Sequence, residues 1–151
     1  MHAPYLFDKA EAEKFIARIN TLHPASKSHW GKMSPSQMFF HCQKPLQVAF
    51  GEHTMKRSLI GMLFGKLAKK KLVDDKPFGK NLPTAPSFIV RHQPEFEEEK
   101  QKLITLIRRF SEGGPEKLSQ QPHPFFGPMS TMEWSKSLWK HLDHHLRQFG
   151  A

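Results

Sequence analysis

Apolar residues recur every three to four positions in four long stretches of the chain, the spacing that lines one face of an α-helix. The first opens at Asp8, with Glu11 three residues on, gathers Phe15, Ile16, Ile19 and Leu22 on one face, and stops before Pro24. The second has Ser34 as N-cap, Pro35 at the first helical position and Gln37 completing a capping box, and it runs to about Phe50. Met33 and Met38 occupy the positions of a hydrophobic staple across that start. The third long stretch begins near Pro94 and stops at Gly113 and Gly114, with Phe96, Leu103, Leu106, Ile107 and Phe110 as its core face. Glu95, Glu97, Glu98 and Glu99 crowd its positive end, and Arg108 and Arg109 its negative end. The last opens on a second capping box, Ser130 with Glu133, and runs to about Phe149. These elements predict an all-α protein.

Residues 51–93 join the second of these helices to the third. They hold a shorter helix of about three turns, in which Leu59, Ile60, Leu63, Phe64 and Leu67 are surrounded by Lys66, Lys69, Lys70 and Lys71. Its expected placement is the apolar face against the protein's own core and the lysines in solvent, with a membrane surface or a partner as the other reading. Gly61 and Gly65 suit close helix packing, in an apolar run too short for a membrane dimer motif. A proline-punctuated stretch without helical period follows from Val73 to His92. A connection this long returns the chain to the end it left, so that the helices it joins run parallel.

In the last helix, His141 and His145 stand four residues apart and share one face, about one turn from each other. They fall within the apolar stripe of Trp134, Leu138, Leu142 and Phe149, whereas Lys136, Lys140, Asp143 and Arg147 lie opposite. His144 falls on the flank, toward the charged side. Burying two imidazoles costs free energy unless both ring nitrogens find partners, which a metal ion with an outer acceptor supplies, as does a hydrogen-bonded pair of core histidines. His41 lies about 9 Å along the second helix, and the two C-terminal histidines lie about 7 to 14 Å from the end of the last. Antiparallel packing of these helices brings all three to one level. Pro45 cannot donate to the carbonyl of His41, so the backbone is expected to loosen beside that histidine.

One histidine early in the second helix, with HxxxH and a following Arg-Gln in the last, resembles the DinB/YfiT-like metalloenzyme superfamily. WGKMSPSQMFFHCQ, LIGMLFGKLAKKKL, NLPTAPSF, HPFFG and EWSKSLWKHLDHHLRQFG more narrowly resemble its DinB-like branch known as a domain of unknown function, over nearly the whole chain from about Phe15. The resemblance implies a single domain over residues 1–151, an up-down-down-up four-helix bundle with the short extra helix in its crossover. It also implies a divalent metal held by His41, His141 and His145. Characterised members include S-transferases and isomerases that use low-molecular-weight thiols.

Three neutral imidazoles without a fourth protein ligand leave an open coordination position, as catalytic sites do. Zinc or nickel suits such ligands best, with iron and manganese next. The function expected is therefore a metal-dependent enzyme that activates a small thiol, its co-substrate, or water against a small electrophile. A metal- or ligand-binding bundle without turnover is the alternative from another class, and a basic interaction module for membranes or nucleic acid is a third. The mouth of the site is expected where the loops before the second and third long helices meet the end of the last. Trp30, Asn81 and Arg91 are the residues there expected to touch substrate, Trp30 through its stacking face and Arg91 through its anion-binding fork. Trp30 as a loop staple, and Arg91 paired with a glutamate, are the competing structural roles. His123, between two prolines, belongs to the opposite end and is read as structural.

The chain of 151 residues carries a formal net charge of +9 and a sequence pI near 9.8. That surplus speaks to non-specific attraction to anions, and no recognised nucleic-acid motif accompanies it, so no nucleic-acid partner is expected. The lone cysteine, Cys42, excludes an intramolecular disulfide and is read as a core thiol. Charges at Asp8, Lys9, Glu11, Glu13 and Lys14 interrupt any leader-like apolar run, and no stretch reaches the roughly 20 apolar residues that span a bilayer. Cytoplasmic residence and a small-molecule substrate fit these features, with a homodimer as the assembly considered and the oligomeric state left open.

Overall fold

The computed structural model describes residues 4–56, 59–84 and 86–151; Met1 to Ala3, Arg57, Ser58 and Ala85 lie outside that description. Among the described residues the secondary structure is helical. Five helices follow one another: α1 (Lys9–Asn20), α2 (Pro35–Ala49), α3 (Leu59–Val73), α4 (Phe96–Gly113) and α5 (Thr131–Gln148). Single 3-10 turns stand at Pro86–Phe88 and Pro115–Lys117, and an isolated antiparallel bridge joins His123 to Gly127.

The helix starts follow from their caps. Asp8 accepts from the Ala10 amide, and both capping boxes form, Ser34 with Gln37 and Ser130 with Glu133. Glu95 caps α4 by accepting from the Glu98 amide, so that helix starts at Phe96 rather than at Pro94. Gly114, at φ 72°, turns the chain out of it. α2 continues through Pro45, where the ring removes the donor that would have reached the His41 carbonyl.

Hydrogen bonds between helix ends set the directions. Gln37 Nε2 donates to the His92 carbonyl at 2.9 Å and Gln93 Nε2 to Ser36 Oγ at 2.6 Å, so α2 and α4 start side by side. Past their far ends, the Ser119 amide donates to the Ala49 carbonyl at 2.8 Å. Phe7 N donates to Ser135 Oγ near the starts of α1 and α5, and Arg18 pairs with Asp143 at 2.9 Å toward their ends. Gln148 Nε2 donates to the Trp30 carbonyl at 2.8 Å, which sets the end of α5 against the approach to α2. α1, α2, α4 and α5 enclose a core that includes Phe15, Ile19, Met38, Phe39, Leu46, Leu103, Ile107, Phe110, Leu142 and Leu146.

α3 departs from the expectation in length and in orientation. At 15 residues it equals α2 and exceeds the 12 of α1, so it is no minor addition. It packs on α5, but its buried residues are Gly61 and Gly65, while Leu59, Ile60, Leu63, Phe64 and Leu67 are exposed. Steric fit accounts for this. The backbone of Phe125 sits so close that a Cβ on Gly61 would lie 2.6 Å from its carbonyl oxygen, and one on Gly65 would collide with the same atom. Only a face of small residues approaches that closely, and turning it inward turns the large apolar residues out.

The phase of α5 needs the matching correction. Lys140 and His144, assigned to its polar side, are both buried, at 4% and 8% exposure. α3 and the residues after it cover that side. Lys140 Nζ donates to the Lys71 carbonyl at 2.9 Å, the Asp74 carbonyl at 3.0 Å and Asp74 Oδ1 at 2.9 Å, thereby capping the carbonyl end of α3 with a cation. Arg147 remains exposed, as expected.

Candidate metal centre

α2 and α5 bring three imidazoles together. His41 Nε2 lies 3.1 Å from His141 Nε2 and 3.1 Å from His145 Nε2, and one ligand atom from each of the three fits within a 4.8 Å group. His41 is buried, and His141 and His145 are partly buried. Among the described residues no fourth histidine, cysteine or carboxylate joins the group. Cys42, one residue on from His41, faces the core, where its Sγ lies 3.7 Å from Met38 Sδ and burial pushes the thiol up, away from thiolate.

The outward nitrogens fix the tautomers of two of the rings. His41 Nδ1 lies 3.1 Å from the carbonyl of Phe88, an atom that only accepts, so Nδ1 carries the hydrogen and Nε2 a lone pair. His145 Nδ1 lies 2.8 Å from Gln148 Oε1. The same amide's Nε2 donates to the Trp30 carbonyl, which fixes the amide orientation and leaves His145 Nε2 unprotonated as well. Two lone pairs therefore face each other across 3.1 Å, an arrangement that calls for a cation between them.

Protonation is a poor candidate for that cation. Burial pushes the basicity of His41 down, against the raising effect of the Phe88 carbonyl. Burial, with His145 and His41 close by, pushes His141 well below the usual imidazole range. Burial, then the proximity of His41, lowers His145 to about 3. A divalent ion suits this donor set better. Imidazole nitrogens bound tetrahedrally at 2.0–2.1 Å lie about 3.3 Å apart, close to the 3.1 Å that separates His41 Nε2 from each of the other two.

Three supporting groups receive no role from the sequence: the Phe88 carbonyl, Gln148, present there only as the Gln of the Arg-Gln that follows HxxxH, and Gly31. The first comes from the 3-10 turn of the long connection, which periodicity does not resolve. Gln148 had a usable signal, because it lies three residues after His145 and so shares its face. Gly31, at φ 76°, lies beneath the Gln148 amide, and a Cβ there would stand 2.5 Å from Nε2. Gln148→Leu removes the acceptor on His145 and is expected to weaken divalent-metal binding about 10- to 100-fold with helicity unchanged. A competition titration against a chromophoric chelator reads that change.

The residues expected at the mouth are placed unevenly. Trp30 is half-buried, with its ring 5.5 Å from that of His144 and the Lys80 ammonium 4.6 Å above it, beside rather than inside the histidine triad. Asn81 follows Lys80 in a turn with φ 56°. Arg91 is exposed and pairs with no carboxylate among the described residues. His144 lies next to the triad, its ring 5.0 Å from that of His145 and 6.0 Å from that of Phe78. His123 holds a turn: its Nδ1 accepts from the amides of Phe125 at 3.0 Å and Phe126 at 3.1 Å, and burial lowers it to about 4. Past the C-terminal end of α2, His53 buries an Nε2 that finds no hydrogen-bond partner among the described residues, with its ring 5.9 Å from that of Phe88.

The profile of one family, described as protein of unknown function (DUF1569), matches residues 7–151. No curated protein and no solved structure matches the chain.

Proposed function

We propose that this chain, which belongs to the DUF1569 family, is a metal-dependent enzyme of DinB-like architecture that activates a small thiol or water against a small electrophile. The single observation that carries the reading is the facing pair of unprotonated nitrogens on His41 and His145, with His141 Nε2 beside them. His41, His141 and His145 would hold the ion, with zinc or nickel the best match to three imidazoles. When bound, the ion would supply a Lewis acid that holds a thiol or water in its deprotonated, nucleophilic form.

The chain's own residues do the rest. The Phe88 carbonyl and Gln148 orient His41 and His145, keep both rings in the tautomer that offers Nε2, and raise their donor strength. Trp30, Asn81 and Arg91 are the residues proposed to receive substrate, Arg91 by pairing with an anionic group that no neighbouring carboxylate competes for. An up-down-down-up bundle of α1, α2, α4 and α5 in one domain is the proposed architecture, supported by the end-to-end hydrogen bonds of these helices.

Elemental analysis of protein purified without a histidine tag and without added metal tests the reading. About one divalent ion per chain is expected, followed by turnover of a low-molecular-weight thiol with an alkylating fluorophore that ceases on chelation. Absence of stoichiometric metal, even after dialysis against zinc and nickel, would sink the proposal. Stoichiometric metal without turnover of any thiol or hydrolysable electrophile would leave a binding protein in its place.

A further inference from the structure

The orientation of α3 has no explanation within the metal centre. Among the described residues nine large hydrophobic side chains are exposed, and six of them, Leu59, Ile60, Met62, Leu63, Phe64 and Leu67, are on this one helix at 57–79% exposure. Scattered exposed leucines need no explanation, whereas this concentration marks an interaction surface. The small face of Gly61 and Gly65 is already committed to the backbone of Phe125, so the outward apolar face is fixed by the fold.

Charge identifies what that face meets. α3 contains no acidic residue, and Lys66, Lys69, Lys70 and Lys71 fill its C-terminal half. Of its lysines, Lys69 pairs with Glu133, while Asp74 and Asp75 just after the helix are engaged by Lys140 and Lys136 of α5. Lys66, Lys70 and Lys71 are exposed and have no ion pair among the described residues. A second copy of the chain offers a complementary apolar face but brings its own surplus of +9. An anionic bilayer offers an apolar interior and headgroups of the opposite sign together. At 15 residues the helix is about 22 Å long, shorter than a hydrocarbon core of about 30 Å, and among the described residues no helix is long and apolar enough to cross a membrane. It suits the interfacial plane, with leucine and phenylalanine among the acyl chains and lysine stems reaching back to the headgroups.

We propose that α3 is an interfacial membrane-binding helix that docks the protein onto bilayers carrying anionic lipids. The lysines attract the surface, and Leu59, Ile60, Leu63, Phe64 and Leu67 insert. Binding therefore needs both the charge and the apolar face, and it is independent of metal at the histidine triad.

Flotation of the full chain with vesicles of phosphatidylcholine, with and without phosphatidylserine, tests this, with sedimentation velocity on the same samples. The expected result is flotation with the phosphatidylserine vesicles and an at least tenfold smaller bound fraction on phosphatidylcholine alone. Leu63→Asp combined with Phe64→Asp should abolish flotation, and Lys66→Gln, Lys70→Gln and Lys71→Gln together should reduce it about tenfold. These side chains are exposed, so unchanged helicity in each variant is the accompanying control. No flotation with either vesicle overturns the proposal. So does a dimer in solution that Leu63→Asp and Phe64→Asp dissolve while vesicles capture nothing, since the face then belongs to a second copy.

Discussion

Replacing either His41 or His145 with alanine is expected to lower divalent-metal affinity by about two orders of magnitude or more. Each removes one of three ligand atoms, and a structural or catalytic site distributes its binding free energy over few bonds. The change should be larger than that of Gln148→Leu, which leaves all three nitrogens present and only loosens one ring. His144→Ala separates direct from indirect effects. Its ring packs between those of Trp30, Phe78 and His145 without reaching the group of ligand nitrogens, so about 1 kcal/mol of stability should go while affinity falls only severalfold. Titrating each variant against a chelator of known affinity gives the order. Equal affinity in wild type and His41→Ala would remove α2 from the centre altogether.

The second large effect concerns acid. Chelated protein is expected to lose stability steeply as pH falls below 6.5, the ordinary imidazole value, and to recover much of it when metal is added. The sign follows from proton counting. His145 stays neutral in the fold down to about 3 and His123 down to about 4, while both charge near 6.5 in the unfolded chain. Between those limits the unfolded state binds more protons, so stability rises with pH and is lost on acidification. Two such histidines cost together about 4 kcal/mol over the first one and a half pH units, and His41 and His141, lowered in the same direction, add to the loss. This window lies above the titration of ordinary carboxylates, so urea midpoints measured through it report the imidazoles. Stability that stays level across it would mean that these rings are charged in the fold.

Much of this arrangement is legible in the sequence, for local reasons. Ser34 with Gln37 and Ser130 with Glu133 announce helix starts because a cap needs only residues within one turn. His141 and His145 share a face by helical period alone, and His41 joins them because α2 and α5 lie against one another in opposite senses. The failures share one cause. Periodicity says which residues lie together on a helix and is silent about what covers them. Lys140 sits opposite the apolar stripe of α5, yet α3 and the residue after it close over it, and the Lys71 carbonyl with two oxygens of Asp74 receives its ammonium. Leu63 and Phe64 look like core residues by composition, yet the small residues Gly61 and Gly65 take the inward face because Phe125 leaves room for nothing larger. The Phe88 carbonyl had no signal at all, since any residue type carries that atom and only the path of the long connection brings it to His41.

Gly31 extends the demands of the histidine triad to a residue outside the three imidazoles. It must hold a left-handed backbone and leave space for the Gln148 amide, so two independent constraints act on one position in a surface loop. Mutational tolerance around the centre is consequently narrow where solvent exposure suggests it should be wide. A serine or alanine there would be taken for a harmless loop change, yet it would act at a distance, by tilting the amide that holds His145 in register.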